Sequence, residues 1–205
     1  MNDGEATTPE DHDHQSTKER LAAATIGGHK PLNSTIYLAP YDPEWPARFV
    51  ILAGRVRDAL GAKALLLQHV GSTSIPGMSA KPIIDMLLVV EDSADELSYV
   101  PSLEESGFTL RIREPDWYEH RLLRGSDIKA NLHVFSSGCR EIERMIAFRD
   151  WLREHPEDHR RYEETKRRLA AKTWAYTQDY ADAKTDVVEE ILGRALPNTG
   201  AEATV

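Results

Sequence analysis

His69-Val70-Gly71-Ser72-Thr73-Ser74-Ile75-Pro76-Gly77, followed after Met78-Ser79-Ala80 by Lys81-Pro82-Ile83-Ile84-Asp85-Met86-Leu87-Leu88-Val89-Val90, decides how this chain is read. The first run has the pattern of a strand ending in a turn of small residues. The second is a strand that carries one acid among branched apolar side chains. Gly, Ser and Thr let backbone N–H groups come close to a phosphate, because no bulky side chain stands in the way. An ionised carboxylate inside an apolar strand is costly unless it is paired or ligates a metal. Together the two runs point to a site for a phosphorylated ligand, with Asp85 as candidate metal ligand. On a strand, Asp85 and Leu87 share one face and Met86 takes the other, so Leu stands where a second acid would join Asp85. Asp85 could equally be a structural acid paired with Lys81 or an arginine. The turn alone fits a plain strand end too. It is no Walker loop, since Gly77 is not followed by Lys-Ser/Thr and Lys81 lies too far along.

Working outward, Ala64–Val70 and Pro82–Val90 are nearly continuously apolar, as strands covered on both faces are. Upstream, Tyr41-Asp42-Pro43-Glu44-Trp45-Pro46 opens a helix, with Asp42 as cap and Pro43 in the first turn. Trp45, Phe49, Leu52, Val56 and Leu60 recur at helical spacing, and Gly61 ends the run. Downstream, Ser93-Ala94-Asp95-Glu96 has the capping-box pattern of a short helix that stops near Gly107. Phe108–Arg113 alternates as a half-buried strand, and His120–Arg124 and Asn131–Phe135 read as two more. From Arg140 the spacing predicts three helices: Arg140–Glu154, broken by His155-Pro156; Glu157 to about Lys172; and Ala175–Leu196. The class is α+β, a sheet with a helical segment packed against it. Residues 1–33 read as a disordered tail, in which Asp11-His12-Asp13-His14 is either solvated or a weak metal binder. Residues 34–196 form one domain, with the sheet in 34–138 and the helices in 139–196. Residues 197–205 are a flexible end.

A chain of 205 residues, 40% hydrophobic and 29% charged, suits one soluble domain with a real core. No apolar run approaches the length of a bilayer span, and the acidic, polar N-terminus is no secretory signal, so no membrane partner is expected. The single Cys139 excludes an intramolecular disulfide framework and a Cys-rich zinc site, which makes a reducing cytoplasm the expected location. A net charge of -9 argues against bulk nucleic-acid binding. It leaves room for a nucleotide or another phosphorylated small molecule in a locally basic pocket. Oligomeric state is open.

Other side chains could serve such a pocket. His133 shares a strand face with Asn131 and Phe135, so it either lines a pocket or hydrogen-bonds within the core. Arg149 with Arg153, Tyr162 with Lys166, and Tyr180 with Lys184 each stand four apart on a helix. Guanidinium forks match phosphate oxygens, ammonium groups add charge, and Tyr stacks or donates. Each pair also suits a solvated helix face, but pairs in successive helices fit a shared anionic-ligand surface.

With these segments in hand, the sequence resembles the GrpB family. The most specific parts are His69–Gly77 with Lys81–Asp85, Asn131–Phe135, Glu141-Ile142-Glu143-Arg144 and Phe148–Pro156, completed by Tyr162, Lys166, Tyr180 and Lys184. The family is similar in fold to nucleotidyltransferases: a small mixed β-sheet flanked by helices, with a Gly-Ser turn before the metal-binding strand. In some bacteria a similar domain is fused to dephospho-CoA kinase, which implies a nucleotide or coenzyme context. The resemblance implies that Gly71, Ser72 and Thr73 hold phosphates, that Asp85 binds Mg²⁺, and that Lys81, Arg149 and Lys184 neutralise the ligand. Active nucleotidyltransferases present two acids on this strand and a third nearby. Here Leu87 replaces the second, and His133 stands where the third would be sought. The expectations are metal-dependent nucleotidyl transfer with Asp85 and His133 as catalytic groups, or a non-catalytic nucleotide-binding or regulatory module.

Overall fold

Five strands form one mixed sheet in a computed structural model that describes Glu19, residues 22–28 and residues 31–196. They are β1 (Leu66–Val70), β2 (Ile84–Val90), β3 (Phe108–Glu114), β4 (His120–Gly125) and β5 (Ala130–Ser136), in the spatial order β1-β2-β5-β4-β3. β2 and β5 run parallel, and the other neighbours are antiparallel. The expected α+β class holds. Every residue of β2 except Asp85 is buried, because both faces of the sheet are covered. On one face α1 (Trp45–Leu60) and α2 (Val100–Glu105) enclose Met86, Leu88, Val90, Leu132 and Val134. On the other, Val70, Leu87 and Phe135 meet Ile142, Met145 and Ile146 of α3 (Arg140–Glu154).

The remaining helices are α4 (Pro156–Ala170), α5 (Thr177–Asp182) and α6 (Thr185–Ala195). The single helix expected over Ala175–Leu196 is thus divided at Ala183-Lys184. A second core joins Ile75 and Met78, just beyond the Gly71 turn, to Leu152, Tyr162, Val187 and Ile191. The helical segment therefore grips the loop that carries the turn.

Three further expectations change for physical reasons. α1 begins at Trp45, because Asp42 Oδ1 accepts the Glu44 N–H at 2.9 Å and so closes a turn ahead of the helix. The capping box at Ser93–Glu96 does not form. Ser93 Oγ instead donates to the Glu119 carbonyl at 2.8 Å, and the Glu96 carboxylate pairs with Arg113 and Arg121. Order also begins before residue 34. Thr25 bridges Ile112, Ile26 N–H donates to the Arg111 carbonyl at 2.8 Å, and Leu32 N–H donates to that of Ala175 at 2.8 Å. Such backbone pairing leaves no trace in side-chain periodicity. Asp11-His12-Asp13-His14 and residues 197–205 lie outside the described residues. No described helix is long and apolar enough to cross a membrane.

The seam between α1 and β1 is fastened by His69. Its ring stacks on Phe49 with centroids 4.8 Å apart, and its Nε2 lies 3.0 Å from Thr73 Oγ1. Burial, reinforced by the charges of Arg153 and Arg149, lowers its pKa from 6.5 to about 4. The unfolded chain takes up this proton near pH 6.5 and the folded chain does not, so stability is lost as pH falls from 6.5 towards 4. Thermal unfolding is expected at lower temperature at pH 5 than at pH 7, with a shallower dependence in His69→Gln. An unchanged slope in that variant would remove His69 from the account.

Candidate functional site

The strand register places the Gly71 turn beside the acid, since Val70 of β1 pairs with Asp85 of β2. Gly71 has φ 66°, and a Cβ built there would lie 2.5 Å from Asp85 Oδ2 and 2.9 Å from Asp85 Cβ. Glycine is required twice over, for the left-handed backbone and for the close approach. A single 3₁₀ turn, Ser72–Ser74, follows, closed by the Ser74 hydroxyl donating to the Gly71 carbonyl at 2.6 Å. On the other side, Asp85 Oδ1 accepts from Asn131 Nδ2 at 2.9 Å, and Asn131 is its register partner on β5.

Three ammonium groups surround this seam. Lys184 Nζ lies 4.6 Å and Lys81 Nζ 6.0 Å from the centroid of the same Tyr180 ring. Lys166 Nζ donates to the Ser79 carbonyl and lies 3.4 Å from Ser72 Oγ, 3.3 Å from the Glu163 carboxylate and 5.1 Å from the Tyr162 centroid. The Tyr162 hydroxyl hydrogen-bonds the Ser72 side chain, while burial pushes its pKa up to about 12. Burial raises the pKa of Asp85, opposed by the Asn131 hydrogen bond and then by the charges of Lys81 and Lys184. Burial lowers both Lys81 and Lys184, opposed in each by Asp85, and Lys184 itself pushes Lys81 further down. Lys166 is lowered to about 8, chiefly by burial, against the pull of Glu163.

Gly71, Ser72, Lys81, Asp85, Tyr162, Lys166, Tyr180 and Lys184 are therefore brought together as the sequence suggested. Four other candidates are placed differently. Thr73 is buried with its hydroxyl turned inward to His69. Arg149 donates to the His69 carbonyl at 2.9 Å and to Gln68 Oε1 at 3.0 Å, and its other nitrogens pair with Asp150. Arg153 donates to the Ser74 carbonyl at 2.7 and 3.2 Å. Both guanidinium groups hold the backbone of β1 and the turn, where a ligand-binding role was expected of them. His133 Nδ1 meets His120 Nε2 at 3.1 Å, and His120 Nδ1 meets Glu114 Oε2 at 2.7 Å. Burial and then the His120 charge lower the pKa of His133 to about 3, leaving it neutral.

Sequence reasoning missed two partners. Asn131, noted as a face-mate of His133 and as part of a family motif but given no role, holds the acid. Glu163 accepts from the Ser79 N–H at 3.2 Å and hydroxyl, and from Arg167 Nε at 2.8 Å. Its spacing of three and four residues from Lys166 and Arg167 was the available signal.

The residues do not fit the Mg²⁺ expected from resemblance. A divalent ion at Asp85 would meet one carboxylate, with one oxygen held by Asn131 and the other against Gly71, in the field of two ammonium groups. Mg²⁺ requires hard oxygen ligands around it, and Leu87 is packed into the core under α3. Among the described residues no three His, Cys, Asp or Glu side chains gather as a metal-ligand group.

The model of the family described as GrpB protein matches residues 35–194. The chain belongs to the GrpB family. A UPF0157 protein of Halalkalibacterium halodurans is 54% identical over 195 residues, covering 95% of this chain and 97% of that protein. The crystal structure of the conserved protein GrpB from Enterococcus faecalis superposes with a TM-score of 0.64 at 29% identity, over 78% of this chain and 96% of that one. A dephospho-CoA kinase of Mycolicibacterium paratuberculosis is 30% identical over 183 residues, 75% of this GrpB chain and 44% of that protein.

Gly71→Ala is expected to lower unfolding stability by about 1–3 kcal/mol in urea denaturation. Asp85→Gly removes the obstructing Cβ, so the double variant should lose less than the sum of the single losses. Strict additivity would mean that the two residues do not press on each other.

Proposed function

We propose that this GrpB-family chain binds a nucleotide or another phosphorylated small molecule between the Gly71-Ser72 turn and the ammonium groups of Lys81 and Lys184. One observation carries this reading. In a chain of net charge -9, three partly or fully buried lysines meet with Asp85, Glu163 and Asp182 as their counter-charges, while Arg124 and Arg167 add further positive charge beside them. Cations taken out of water need partners, and a phosphate supplies the missing negative charge through strong, charge-assisted hydrogen bonds. The ring of Tyr180 gives the two lysines a common support, and the relative named dephospho-CoA kinase makes coenzyme precursors reasonable ligands to try. The single carboxylate favours a binding module over metal-dependent transfer.

Nucleotidyl transfer is the second reading, and the Glu114–His120–His133 chain favours it. The pair Leu87–His133 follows Asp85–Asn131 along the same sheet face. A neutral His133 on the face that carries Asp85 could take a proton from an acceptor hydroxyl, as a weak base given its pKa of about 3. Release of pyrophosphate from ATP that is lost in His133→Gln would support it, and no release under any condition would overturn it.

For binding, thermal unfolding with ATP, UTP, dephospho-CoA and inorganic pyrophosphate is the test. A ligand at about a hundred times its Kd adds roughly 2.7 kcal/mol, and Lys81→Met and Lys184→Met should each abolish the shift. No response to any of the four compounds, or full responses in both variants, would overturn the reading. Affinity should also fall from pH 7 to pH 9, because Lys166, with a pKa near 8, loses the positive charge beneath Ser72. A constant affinity across that range would remove Lys166 from the site.

A further inference from the structure

We infer that the pocket takes its ligand as a metal-free polyanion with at least two phosphate groups, Lys81 and Lys184 standing where a metal ion would otherwise bridge the phosphate oxygens. This rests on the anion-binding reading above and deepens it. The two ammonium groups flank Asp85 and share the Tyr180 ring, so their positions are fixed by the fold. Arg124, the register partner of Asn131 on β4, adds a third cation whose charge acts on Lys81. A ligand that arrived with its phosphates already bridged by Mg²⁺ would carry less negative charge. It would also place a divalent cation against these groups, where like charges repel. The protein offers that ion little in return. One Asp85 oxygen is bonded to Asn131, and the other lies so close to Gly71 that no Cβ fits between them. The next position on that face, Leu87, belongs to the core. Two phosphates rather than one follow from the presence of two separate cations beside a single turn, each able to take its own oxygen.

Asp85 then has a role other than ligation. Its charge, joined by that of Asp182 at Lys184, opposes the burial that drives Lys81 and Lys184 towards neutrality. An incoming polyanion would take over that task and be repelled by the carboxylate.

Isothermal titration of the full chain with ATP and with pyrophosphate, in EDTA and in excess Mg²⁺, tests the inference. Binding is expected in EDTA, weakened about tenfold or more by Mg²⁺, and Asp85→Asn, which keeps the shape and removes the charge, should bind the metal-free ligands more tightly. Binding that requires Mg²⁺ and disappears in Asp85→Asn would overturn the inference while leaving anion binding intact. Absence of binding in both buffers would overturn the anion-binding reading and this inference with it. The EDTA and Mg²⁺ arms use the unaltered chain, so the outcome does not depend on how the variant folds.

Discussion

The carboxylate of Asp85 sits at the one position of β2 that is only partly buried, and several parts of the structure exist in relation to it. The β1–β2 register brings the end of β1 beside it, so residue 71 must lack a Cβ. The β2–β5 register brings Asn131 beside it, so one oxygen has a neutral donor. Burial disfavours its charge, and the Asn131 hydrogen bond and then Lys81 and Lys184 oppose that. Burial disfavours theirs too, and Asp85 opposes that in turn, joined by Asp182 at Lys184. The result is a mutually dependent set in which both cations act on Asp85 and Asp85 on both.

Arginines and lysines divide the work around this set. Arg149 and Arg153 direct their forks at fixed acceptors, the carbonyls of His69 and Ser74 and the carboxylate of Asp150, and so tie α3 to the end of β1 and to the turn. A planar guanidinium suits that task because it satisfies several acceptors at once. Lys81, Lys166 and Lys184 are compact point charges on long stems, and they gather over the tyrosine rings of α4 and α5. The division at Ala183-Lys184, where a continuous helix was expected, places Lys184 between α5 and α6 and beside Tyr180. Ile75 and Met78 fix the loop beneath by packing into the second core.

Much of this was legible from residue types and spacing. Both strands around the turn, the small-residue turn itself, the lone acid and the identity of the lysines and tyrosines follow from local pattern. Local pattern could not show which donors were already committed. Thr73, Arg149 and Arg153 have the chemistry of ligand-binding groups, yet their partners are protein atoms far away in sequence or turned inward. Ser93–Glu96 has the letters of a helix cap, but Arg113 of β3, Arg121 of β4 and Glu119 in the turn between them claim those side chains. The pairing of Thr25 and Leu32 runs through backbone atoms, which sequence composition does not report. Membership in the GrpB family was legible because several motifs occur in the same order along most of the chain.

The most direct test of an anion site at this seam is a backbone-amide NMR titration of the whole chain with pyrophosphate. The account predicts saturable shifts concentrated at Gly71, Ser72, Asp85, Asn131 and Lys184, with the groove between α4 and α6 unaffected. Shifts centred on Arg161, Arg168 and Glu190 in that groove, or no saturable shift at all, would contradict it.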